Sequence, residues 1–65
     1  MMYSLVVRRS ELEKKLKALG WSPTGQASGS NHTLWVHPTK GKLAVPRYDL
    51  IIDATAERLL DEAEG

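Results

Sequence analysis

The sequence predicts a small α+β domain spanning residues 1–65, ordered as helix, three antiparallel strands, helix. Three observations predict it. Leu12, Leu16 and Leu19 recur at the spacing of one helical face. Two alternating runs, His32 to His37 and Lys42 to Pro46, flank Pro38-Thr39-Lys40-Gly41 and read as a hairpin. Ile52, Ala56, Leu59, Leu60 and Ala63 then restore a helical period. A chain this short buries only about 60% of the surface its unfolded form exposes, so its core is small and a partner would add to it.

Met1 to Val7 has short β character and fits an edge strand or a docked terminus. Ser10 opens the first helix: Ser10-Glu11-Leu12-Glu13 fits a capping box, with Glu13 reaching back. Gly20 stops that helix, and Trp21 folds back on it as a core residue. Ser22 to Ser28, with Pro23 and Gly25, is a weak strand at an edge. Ala27 to Asn31 supplies turn residues, and the amides of a Gly-Ser-Asn turn are a candidate phosphate cradle as well as an ordinary turn. In the central strand, alternation sets His32, Leu34 and Val36 on one face and Thr33, Trp35 and His37 on the other. The first is expected to be the core face. Trp35 is then a candidate stacking platform or interface anchor. Leu43 and Val45 point inward on the third strand, which Pro46 ends. Asp53 is the expected N-cap of the second helix.

Charge is divided along the chain. Residues 1–48 carry +6 and residues 49–65 carry −5. A charge run is most often a solvated face; the basic part is also a candidate for contact with a polyanion, and the acidic tail is not. Lys40, Lys42 and Arg47 are expected to gather near the hairpin and strand end, with Arg47 placed to hold a phosphate. There is no cysteine, and no apolar run approaches the roughly 20 residues of a membrane span. The expectation is a soluble cytoplasmic protein without a signal peptide.

With no cysteine, His32 and His37 are the side chains whose unperturbed pKa lies nearest neutrality, and so the first candidates for acid–base work. Five steps of a strand separate their backbones by roughly 16 Å. They cannot act together on one phosphate, nor with so few converging ligands hold a metal. Spacing alone favours His32 as a packed core residue. Its place at the strand's entry, after a flexible turn, points instead to a cleft.

Three segments resemble the HicA family, the small messenger-RNA interferase toxins of toxin–antitoxin pairs. They are the helix ending Leu19-Gly20-Trp21, the run Gly29-Ser30-Asn31-His32 with Trp35 and His37-Pro38, and Val45-Pro46-Arg47 before a terminal amphipathic helix. Together they cover about residues 10–63. The resemblance implies a fold like the double-stranded-RNA-binding domain, with both helices on one sheet face. It implies a messenger-RNA endoribonuclease with His32 as the catalytic histidine and a HicB-type antitoxin covering the site. On that reading His32 is general acid or base, no metal or other cofactor is needed, and Ser30, Asn31, Trp35, Lys40, Lys42 and Arg47 would contact RNA. Against the commoner family pattern, Asn31 stands between Ser30 and His32, Tyr48 follows Val-Pro-Arg in place of histidine, and the second helix is acidic. From the residues alone, a non-catalytic RNA-binding module and a protein-interaction domain are the rival readings.

Overall fold

The computed structural model describes residues 5–65. Its elements are β1 (Val6–Arg8), α1 (Arg9–Ala18), β2 (Ser22–Ala27), β3 (His32–His37), β4 (Gly41–Pro46), β5 (Leu50–Ile52) and α2 (Asp53–Glu64). β2, β3 and β4 form an antiparallel sheet in that order, and β1 pairs with β5 in a second, two-stranded ribbon. The expected helix–three strands–helix order is present. The ribbon is an addition: Val6 and Val7 lie in the expected first strand, but its pairing with residues 50–52 was not expected. Met1 to Ser4, the rest of that expected strand, lie outside the described residues.

Both helices cover one face of the three-stranded sheet. Leu12 and Leu16 from α1, and Ala56, Leu59 and Ala63 from α2, share one buried cluster with Trp21, Trp35, Leu43, Val45 and Ile51. The centre of that cluster corrects the expected facing of β3. Trp35 is 1% exposed, whereas Leu34 and Val36 are only half-buried on the helix-free face. The inner face is therefore Thr33, Trp35 and His37. Alternation fixes which residues share a face but not which face is covered. Here the large indole, set opposite Leu43 across the ladder, fills the space under the helices. A buried Trp35 has no face to offer a base, so it is not a stacking platform.

The termini of the helices are also set by tertiary contacts. α1 ends in a Schellman motif: Gly20, at φ +97°, donates to Lys17 C=O, and Trp21 N–H donates to Leu16 C=O, each at 3.0 Å. The turn swings Trp21 onto the core, where its Nε1–H donates to Ala63 C=O at 3.1 Å. The capping box at Ser10 does not form. Arg8 is the N-cap, in extended conformation and without a side-chain cap, because β1 runs directly into α1. Glu13, which would have reached back, pairs instead with Arg9 at 3.5 Å. Likewise Ile52, not Asp53, is the N-cap of α2, and Asp53 N–H donates to Leu5 C=O across the ribbon at 2.9 Å. Ile52 consequently leaves the expected helical face and stands 64% exposed on β5.

Candidate active site at the entry of the central strand

β3 enters from the loop Ser28-Gly29-Ser30-Asn31. Gly29, at φ +77°, lets the loop turn in the left-handed region, and Ser28 N–H closes it on His32 C=O at 2.8 Å. His32 lies opposite Pro46, the last residue of β4. Proline removes a donor and ends the strand, so the chain at Arg47 is free to lie against the loop. Arg47 N–H donates to Asn31 C=O at 2.9 Å, and Arg47 Nε donates to His32 C=O at 3.3 Å. Arg47 thus clamps the backbone of the loop and of His32 together.

Arg9, a residue that sequence reasoning missed, braces this clamp. Its Nη1 donates to the carbonyl of Arg47, and its guanidinium lies 3.5 Å from Glu13 and 3.7 Å from Asp49. Arg9 and Arg47 are brought together by the ribbon of β1 with β5. No local signal in the sequence announces a contact across 38 positions.

The His32 ring is half-buried on the helix-free face and makes no hydrogen bond or ion pair among the described residues. It lies on an open surface, not in the cleft formed by Arg8, Arg9, Ser10, Glu13, Asp49 and Leu50. Ser30 and Asn31 are exposed beside it in the loop. Lys42 shares the helix-free face but stands opposite Val36, four residues along β3 and roughly 13 Å away.

Lys40 belongs elsewhere. Its Nζ donates to Ala63 C=O at 3.3 Å and Glu64 C=O at 3.0 Å, capping the end of α2. The expected gathering of Lys40, Lys42 and Arg47 does not occur, because β4 is an extended strand that carries Lys40 and Arg47 to opposite ends. Lys40 neutralises the negative end of a helix whose last turn has no basic residue of its own.

His37 is occupied on every side. Nδ1 accepts from the amides of Thr39 at 3.1 Å and Lys40 at 3.2 Å, so the proton lies on Nε2, which faces Leu19 C=O at 3.2 Å. The ring packs on Trp21 with centroids 5.3 Å apart. Among the described residues, no three His, Asp or Glu side chains converge as metal ligands.

A family model described as the HicA toxin of bacterial toxin–antitoxin matches residues 9–64. The chain belongs to the HicA toxin family. Membership makes it the toxin of a toxin–antitoxin pair, with a cognate antitoxin as partner. The matched span begins at Arg9 and includes the loop, His32, Arg47 and both helices. No curated protein and no solved structure matched the chain. No described helix is long and apolar enough to cross a membrane.

Proposed function

We propose that this HicA-family toxin is a metal-independent endoribonuclease that cleaves messenger RNA in the cytoplasm, with His32 as its acid–base residue. The observation that carries the reading is the contrast in ring contacts. His32 presents an unbonded imidazole on an open sheet face beside an exposed Gly-Ser-Asn loop, and the side chain of Arg47 reaches its backbone. An open face suits a polymer that lies across it; small molecules are usually held in enclosed, largely apolar pockets.

As general base, His32 takes the proton of a ribose 2′-hydroxyl. The 2′-oxygen then forms a bond to phosphorus while the bond from phosphorus to the 5′-oxygen breaks, leaving a cyclic phosphate and a 5′-hydroxyl. The departing oxygen takes its proton from water on the open face. In the alternative role, His32 gives a proton to that oxygen and water takes the proton of the 2′-hydroxyl. The Arg47 guanidinium, one of whose N–H groups is committed to His32 C=O, has further donors for the developing charge on phosphate. Ser30 and Asn31 would position the strand through the loop, and Lys42 would meet a phosphate farther along. Lys40 and Trp35 have no part in this reading.

The test is cleavage of a mixed-sequence single-stranded RNA in EDTA by the wild-type chain and by folded His32→Ala. A single acid–base group contributes about 10²–10⁴-fold, and a loss of that size is expected. Equal cleavage by both proteins would remove His32 from the mechanism. Tight RNA binding with no cleavage by either would make the chain a binding module.

A further inference from the structure

The exposed large apolar side chains among the described residues are Leu5, Val6, Tyr48, Leu50 and Ile52. They are not scattered. All belong to the β1–β5 ribbon or to the segments entering it, and Tyr48, Leu50 and Ile52 share a groove with Pro46, Ile51 and Thr55. In a chain of 65 residues this is a concentrated apolar surface, of the kind that marks an interaction site.

The backbone at this groove is also open. Arg9 N–H donates to Asp49 C=O and Asp53 N–H to Leu5 C=O, which fixes the hydrogen-bonded positions of the ribbon. Such positions alternate in an antiparallel pair, so Leu50 and Ile52 turn their backbone groups away from β1. No second strand pairs with β5 among the described residues. The outer edge of β4 differs: it carries Lys42 and ends in Pro46, two residue types that discourage strand addition. The β5 edge carries leucine and isoleucine.

We infer that this groove is the docking surface for the cognate antitoxin. An extended antitoxin segment adds to the free edge of β5 and seats apolar side chains against Tyr48, Leu50 and Ile52, a common mode of peptide recognition. The partner itself rests on family membership, and its effect on the site rests on the ribonuclease reading. The groove is lined by Pro46, Tyr48, Leu50, Ile51, Ile52 and Thr55, so the segment is expected to be apolar where it seats. That lining has no cationic side chain to meet phosphate, which disfavours RNA as the occupant. A second copy pairing Leu50 with Ile52 would set Asp49 opposite the Asp53 of the other chain, a like-charge pair. The surface is continuous with the site. Pro46 lines the groove and faces His32 across the ladder, and Arg47 joins Pro46 to Tyr48. A segment held there lies over the approach to Arg47, which couples binding to neutralisation.

The test uses the full chain and its cognate antitoxin, with binding read by calorimetry and RNA cleavage read separately. Leu50→Arg is expected to weaken antitoxin binding about 30-fold or more, the scale of a central interface residue. RNA cleavage by the isolated variant should be unchanged, so the antitoxin no longer silences it. Ile52→Thr is the second variant, since threonine is a favoured N-cap and keeps α2 intact; it should weaken binding in the same direction. Unchanged antitoxin affinity in both folded variants would overturn the proposal. So would loss of a toxin homodimer with antitoxin affinity intact, which would assign the groove to a second copy. Because binding is measured without cleavage, a chain that fails to cut RNA would sink the ribonuclease reading and leave this result standing.

Discussion

His32 and His37 begin and end the same strand, yet their surroundings differ in kind. At the entry, the backbone of His32 is held by Ser28 and Arg47 while its ring is left unbonded on an open face. At the exit, the His37 ring is bonded at both nitrogens and packed on Trp21. The strand's alternation creates the difference. Each step along an extended chain reverses the face, and five steps separate the two residues, so His32 points away from the helices and His37 toward them. One end of β3 is held by its main chain and leaves the ring without a partner among the described residues. The other uses the same residue type to tie the helix–strand turn at Leu19 to the hairpin at Thr39. The residue type names a capability, and the neighbours decide whether it is spent on structure.

The widest separation of the two ends comes from paired substitutions. His32→Ala should lower RNA cleavage by about 10²–10⁴-fold with little change in melting temperature. His37→Ala should do the reverse, keeping cleavage per folded molecule while lowering the melting temperature in circular dichroism. If His37→Ala alone abolished cleavage without loss of stability, the assignment of roles would be inverted. Trp35→Ala probes what the two ends share. Removing the buried indole should cost about 3–5 kcal/mol, measured by urea denaturation. An exposed platform would instead lose RNA affinity and keep its stability.

Gly20→Ala sharpens the structural end. At φ +97°, a Cβ would lie 2.9 Å from His37 Nε2, so the substitution meets both backbone strain and the ring. A loss of about 2 kcal/mol is expected from the left-handed conformation, on the order of 10 °C in a domain of this size. In the Gly20→Ala, His37→Ala double variant the steric part should disappear, so the two losses should not add. The smallest effect is at Lys40. Lys40→Met should lower stability by about 0.3–1 kcal/mol through the uncapped end of α2 and leave RNA affinity unchanged. A clear drop in RNA affinity would return Lys40 to the binding surface.

Much of the fold was legible because it rests on local pattern. The leucine spacing of α1, the stop at Gly20, the bounds of β3 and the inward Leu43 and Val45 all follow from short-range rules. Trp21 could be placed in the core because a helix-stopping glycine precedes it. What failed failed for one reason: the competing interaction came from far along the chain. Ser10 and Asp53 are good caps in isolation, but the ribbon of β1 with β5 carries the chain into each helix from an extended strand. The proposed site was half-legible. His32 and Arg47 stand in recognisable short motifs, whereas Arg9 has a role only because the ribbon sets it against Arg47, and Lys40 loses one because α2 ends beside it.

By itself the sequence determined the order of the two helices and the three strands of the main sheet, the family, and the two histidines worth asking about. These depend on residue periodicity and on motifs a few positions long. Only the tertiary structure decided which face of β3 is covered and, among the described residues, which histidine ring is without a partner and which edge of β5 is unpaired. The two faces of a strand differ by a single residue of register. The choice between them is made by the volume that the helices must fill, with Trp35 as the side chain that fills it.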